Sequence, residues 1–315
     1  MKTRPVLLGM PMFILFLLRC SAAGGDDPAG TGGSNTAGTG GASGLDASAD
    51  IIAPGGFGGG GSDGAVAPLT GEVYAHSDST LYKLEPLSKS VSVIGDFDCI
   101  GASGSGSGMW DIAIDKDGNM FGSANGLSGA SLVRVMKGNA HCEVVVTASS
   151  LPNSLAFIPA GILDPTDEVL VGFDRNKYVR IDKLTGDLQE IGSLNPNATG
   201  QVWESSGDIV SIIDDKTYAT VKPYLGGTSY GTDTIVEVDP KTGEALRVIG
   251  NTGFYGLWGL GYWGGVAYGF SESGQLCEID LTSGVGVQIP IPNLPADISF
   301  WGAGVTTAAP IDVPK

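Results

Sequence analysis

Alternation of apolar and polar residues with a period of two recurs along most of the chain, and that period belongs to half-buried β-strands. Five segments share one design of strand, polar turn and second strand. They read LYKLEPLSKSVSVIG from Leu81, LVRVMKGNAHCEVVV from Leu132, YVRIDKLTGDLQEIG from Tyr178, IVEVDPKTGEALRVIG from Ile235 and LCEIDLTSGVGVQIP from Leu276. Asp182, Asp239 and Asp280 close the first strand in three of them, and Gly186, Gly243 and Gly284 follow in the turn. Aspartate caps its own turn and glycine accepts positive φ, so each segment predicts a hairpin.

The segments begin 41 to 57 residues apart, the length of one four-stranded propeller blade. A second strand pair precedes most of them. Residues 110–114 pair with 119–122, 208–212 with 217–219, 257–261 with 266–269 and, across a longer turn, 155–158 with 168–172. The ends complete each other. Residues 71–75 form a second strand lacking a first, and 298–305 a first strand lacking a second. Joined, they make one blade and close a ring without exposed edges. The predicted fold is therefore all-β, a β-propeller of five four-stranded blades over residues 70–310, with a tail at 311–315. The count becomes six if one degenerate blade lies hidden in the sequence or if 298–310 belongs elsewhere.

The chain's start has another character. Lys2 and Arg4 precede an apolar run from Pro5 to Leu18, shorter than a membrane span and suited to a signal peptide. Cys20 follows that run directly, and Leu17-Leu18-Arg19-Cys20 resembles the lipid-attachment box of bacterial lipoproteins, with Arg19 where that group carries a small residue. The resemblance implies a signal peptide over 1–20 and lipidation of Cys20. Ser21-Ala22-Ala23 offers the other outcome, cleavage after Ala23 and secretion. Residues 21–69 are rich in Gly, Ser, Thr and Ala and cannot form a core, so they read as a disordered tether. Such a chain has an end-to-end distance of roughly 40 Å. The expected location is the outer membrane or periplasm, or the medium if the chain is secreted.

DIAIDKDGNMFG, YVRIDKLTGDLQEIG and IVEVDPKTGEALRVIG are similar to repeats of bacterial quinoprotein-like, Trp-Asp-repeat-like and gluconolactonase-like propellers. With the Cys20 leader, the chain resembles bacterial lipoproteins bearing a propeller head. The resemblance implies architecture more than activity, because one blade design serves enzymes, scaffolds and binding modules. A gluconolactonase-like enzyme would hold a divalent ion in the central channel on Asp, Asn and Glu side chains from different blades. Asp111, Asp208 and Asp233 are the candidates for that role, with Glu204 and Asn153 outside them and Asp208 as the base. The metal would be calcium or a similar ion.

Seventeen Lys and Arg face 34 Asp and Glu, a net charge of -17. That field repels phosphate and excludes nucleic acid and direct contact with anionic lipid. Membrane contact would then come only through a lipid anchor. Asp115-Lys116-Asp117-Gly118-Asn119 has part of a calcium-loop pattern without its acidic twelfth position, and reads as a hairpin turn. His76 and His141 fall in no metal-ligand spacing. Cys99 and Cys142 are a candidate disulfide, and Cys277 lies in an alternating strand as a small buried residue.

Trp110, Trp258 and Trp301 recur at similar first-strand positions, where most aromatics are expected to fill the wedges between blades and any that line the channel mouth would offer stacking surfaces. Trp258 and Tyr262, with Tyr224 and Tyr230 from the longest insertion, are candidate ligand-binding aromatics. The functional expectation is a monomeric, non-catalytic binding or scaffold head without a cofactor, recognising a surface protein or glycan. The alternative is a divalent-metal-dependent lactonase or ester hydrolase.

Overall fold

The computed structural model describes residues 72–101, 107–126 and 129–313. The expected signal peptide, Cys20 and the 21–69 tether lie outside the described residues.

Blade 1 begins with β1 (Val73–His76), β2 (Thr80–Glu85) and β3 (Ser90–Asp96). Blade 2 contains β4 (Gly108–Ile114), β5 (Met120–Gly126), β6 (Gly129–Val135) and β7 (Cys142–Ala148). Blade 3 contains β8 (Leu155–Ile158), β9 (Val169–Asp174), β10 (Lys177–Ile181) and β11 (Leu188–Ser193). Blade 4 contains β12 (Trp203–Ser211), β13 (Thr217–Leu225), the short β14 (Thr228–Ser229), β15 (Thr234–Val238) and β16 (Ala245–Asn251). Blade 5 contains β17 (Leu257–Trp263), β18 (Val266–Ser271), β19 (Leu276–Ile279) and β20 (Gly286–Ile289). Last, β21 (Gly302–Val305) returns to blade 1 and pairs with β1 from Val73↔Val305 to His76↔Gly302. The chain is a five-bladed β-propeller, closed by its first and last strands.

The innermost strands β21, β4, β8, β12 and β17 pack side by side around the axis. Aromatic rings fill the wedges between blades. Phe300 packs edge-to-face on Tyr82 of blade 1 and Phe270 of blade 5, and Phe121 of blade 2 meets Phe157 of blade 3. Tyr218 of blade 4 stacks on Tyr262 of blade 5. All of these rings except the half-buried Phe121 are buried, and each buried ring contributes about 1.5–3 kcal/mol by leaving water.

The Ile-Gly that ends three of the five repeats has a specific job. In β3, β11 and β16 the isoleucine (Ile94, Ile191, Ile249) occupies a bulge, and Val145 takes that place in β7. Bulges bend a strand and increase its twist, and here they curve the outer edge of the blade. The following glycine lets the next blade's hairpin turn approach. At Gly192 a β-carbon would overlap the Thr242 carbonyl, which instead accepts a 2.9 Å hydrogen bond from the Ser193 amide. Gly243, in the same turn, has φ +72° and lies against the Tyr178 ring.

Blade 4 departs from the common plan. Its first two strands extend beyond the repeat, pairing Trp203–Ser205 with Val221–Pro223, and β14 folds back onto Tyr224 and Leu225. Tyr224 and Tyr230 lie on this projecting hairpin, and Glu204 is tied to the Ser229 hydroxyl within it.

A disulfide joins Cys99, between β3 and β4, to Cys142 of β7, with Cα atoms 5.3 Å apart. Cys277 is buried and free, and burial pushes its thiol up to about 12. A thiol held protonated in this way is a weak nucleophile.

Candidate functional site

The five inner strands enter the ring at one face, and each blade contributes to a cup there of about 420 Å³. Trp301 comes from blade 1, Trp110 from blade 2 and Trp258 from blade 5, three consecutive blades of the ring. Leu151, Pro152, Asn153 and Asp174 of blade 3 and Gly207 of blade 4 line the opposite side. Trp258 and Trp301 stand at 90° with ring centroids 6.0 Å apart.

Two of the indoles reach the mouth because their strands are irregular. Met109 pairs with Ala124 and Asp111 with Ser123, which leaves Trp110 in a bulge. Leu257 pairs with Ser271 and Gly259 with Phe270, which leaves Trp258 in another. A bulge re-aims a side chain that regular alternation would send elsewhere. Tyr262 shows the contrast. It follows Trp258 at even spacing on the same strand, yet it is buried, its hydroxyl donating a 2.6 Å bond to Asp215. The four aromatics read as a ligand set therefore do not form one site. Trp258 lines the cup, Tyr262 is core, and Tyr224 and Tyr230 belong to the projecting hairpin of blade 4.

Directly after Trp110 and Gly207 come Asp111 and Asp208, both fully buried. Each fastens one inner strand to the next. Asp111 Oδ2 accepts from the Leu155 amide of blade 3 at 2.5 Å. Asp208 Oδ2 accepts from the Leu260 amide of blade 5 at 2.9 Å, and its Oδ1 from the Ile209 amide at 2.7 Å. Burial pushes both carboxyls well above the usual carboxylate range. Asp111 is raised further by the facing Asp208, whereas the amides around Asp208 pull it back.

His76 completes this layer from β1. Its Nδ1–H donates to the Ser77 carbonyl at 2.7 Å, and Nε2 lies 3.8 Å from Asp111 Oδ1. Gly302 of β21 faces the gap, where a β-carbon would overlap both atoms. His76 had no sequence signal: it belongs to β1, far along the chain from Asp111. Burial lowers its pKa to about 4 from 6.5. A histidine depressed in this way stabilises the fold above pH 6.5, and that contribution is lost as pH falls towards 4, about 3 kcal/mol in all. The urea midpoint is expected to fall between pH 6.5 and 4, and the same pair of measurements on His76→Gln to show a flatter slope. An unchanged slope would mean that His76 is solvated or paired when charged.

Asp233 lies apart from this pair. Its Oδ2 accepts from the Leu257 amide at 3.0 Å, and Oδ1 is 3.7 Å from Lys222 Nζ. Among the described residues no group of three or more His, Cys, Asp or Glu is placed to hold a metal ion. Asp111, Asp208 and Asp233 each hold a backbone N–H of the neighbouring inner strand, and as a donor set they do not fit a divalent ion. Asn153 lines the cup, and Glu204 stays with Ser229. In the Asp115–Asn119 turn, Asp115 Oδ1 accepts from the Asp117 and Asn119 amides, so that carboxylate is occupied by its own hairpin.

The far end of the axis is covered. Beyond β21, Thr306 bonds the Asp115 carbonyl of blade 2, and the Thr307 hydroxyl reaches Glu168 of blade 3. The Thr307 carbonyl accepts from Ile213 of blade 4, and the Pro310 carbonyl from Gly264 of blade 5. The cup is thus open at the tryptophan face, with a buried carboxyl layer beneath it and a peptide strap across the opposite end.

Fold and site together define a five-bladed propeller with a blind axial cup. No protein family and no curated protein matches the chain. Among solved structures it is similar to a protein of unknown function from Bacteroides caccae, at 12% identity and TM-score 0.42, over 75% of this chain and 98% of that one. It is also similar to the PQQ-bound aldose sugar dehydrogenase of Streptomyces coelicolor, at 12% identity and TM-score 0.35, over 72% and 87%. BamB from Moraxella catarrhalis aligns at 13% identity and TM-score 0.28, over 71% of this chain and 62% of its own.

Proposed function

We propose that this protein is a non-catalytic binding module that takes a small ligand, or one residue of a larger one, into the axial cup. The observation that carries this reading is the division of labour along the axis. The cup presents three indoles, and the carboxyls beneath it are engaged with backbone amides. A cup of this volume with a few polar groups matches ordinary small-molecule sites. The reading includes export, with the head held on its 21–69 tether and anchored through Cys20. The Cys99–Cys142 disulfide supports export, because such bonds persist in oxidising compartments. The partner would be a surface glycan or a surface-exposed protein or metabolite group small enough to enter the cup.

The test is indole fluorescence of the purified protein, titrated with a panel of saccharides, organic cations and organic anions. A saturable change with one class, weakened at least tenfold in Trp258→Ala at unchanged secondary structure, supports the reading. Turnover of a lactone or ester that depends on added divalent metal and is lost in Asp208→Asn, with the fold intact, would replace it with a hydrolase.

A further inference from the structure

The chemistry of the cup is asymmetric in a way that selects among ligands. Its aromatic half offers two indoles at right angles, a corner rather than one flat platform. The other half offers one amide, Asn153, and one carboxylate, Asp174. Among the described residues no Lys, Arg or His lines the cup. Asp174 is exposed, and among the described residues its carboxylate makes no hydrogen bond or ion pair. The chain around it carries a net charge of -17.

Each observation bears on charge. Indole faces are negative and attract cations more strongly than other aromatic faces do. An unpaired carboxylate adds a full negative charge within the same cup, and the field of an acidic protein concentrates cations at such a mouth. An anion meets no donor strong enough to offset its desolvation. Among the described residues a hydroxyl-rich ring finds two polar side chains besides the indoles, Asn153 and Asp174, to replace its bonds to water. An inorganic cation would need several oxygen ligands, and the lining holds indoles instead.

We propose that the cup binds an organic cation, a quaternary or methylated ammonium group seated against the Trp258 and Trp301 indoles, with Asp174 across the cup supplying the opposite charge. The inference rests on the cup being a binding site and names the class of ligand it takes. Trp110 closes the third side.

The experiment compares choline with 3,3-dimethyl-1-butanol, its uncharged isostere, on the purified protein, by indole fluorescence and calorimetry. Choline is expected to bind about tenfold more tightly than the isostere. Raising the salt from 0.02 to 0.5 M should weaken choline alone, by roughly threefold. Asp174→Asn should weaken choline about threefold and leave the isostere unchanged. Because Asp174 is exposed, that variant tests the proposal even if Trp258→Ala fails to fold. Equal binding of the two compounds would overturn the cation assignment and leave the cup standing as an apolar site. Preference for a neutral pyranoside over choline would do the same. No saturable response to any of the three would overturn the cation assignment and the cup reading together.

Discussion

A chain ending at residue 297 is expected to lose cooperative folding. The segment beyond it supplies β21, the innermost strand of blade 1, and with it the closure of the ring. Removing it strips β1 of four paired residues, from Val73 to His76. It also removes Phe300, wedged between Tyr82 and Phe270, and the strap that spans blades 2 to 5. Phe300 and Val305 alone account for about 3–6 kcal/mol of burial. With the newly unpaired backbone groups the loss approaches the whole stability of a typical domain, about 5–15 kcal/mol. Circular dichroism and a thermal melt decide it. A sharp transition within a few degrees of the intact chain would show that four blades and an open fifth suffice.

The second large effect separates two aspartates that hold matching positions in the repeat. Asp208→Asn is expected to destabilise by roughly 3–5 kcal/mol, because both carboxylate oxygens accept buried amides and the new NH₂ must face one of them. Asp111→Asn is expected to cost less than about 1 kcal/mol, since one oxygen can still accept from Leu155 and the amide can donate towards Asp208. The pH dependence follows with its sign. A carboxyl raised in the folded state stabilises the fold below its unfolded pKa, and the contribution disappears as pH rises through the folded value. Asp111→Asn should therefore flatten the loss of stability as pH rises above the ordinary carboxylate range. Denaturation midpoints across pH 5 to 9 measure both effects. Equal tolerance of the two asparagines would mean that the Asp208 carboxylate does not clasp the inner strands, and would return it to the candidates for chemistry.

These two variants also mark how far the sequence could be read. The equivalence of Asp111 and Asp208 was visible in the repeat; their unequal partners were not, because Leu155 and Leu260 arrive from neighbouring blades. The recurrence of Trp110, Trp258 and Trp301 is legible in the sequence, but the expected place for most such aromatics is the core between blades, and the structure gathers all three at the mouth instead. Their shared place near the fifth repeat groups Trp258 with Tyr262, and the bulge at Trp258 sends them to different places. Tyr224 and Tyr230 were legible as an insertion, but where it stands depends on the extension of β12 and β13.

Local chemistry determined the strands, the Asp-capped and glycine-containing turns, the number of blades and the closing of the ring, because each depends on neighbours in the chain or on a repeat with a fixed period. Tertiary structure alone decided which side chains share the axis. Five inner strands from distant segments meet there, and bulges set the aim of their side chains. Burial then sets the charge states of His76, Asp111 and Asp208, a property of the surroundings that no spacing in the sequence encodes.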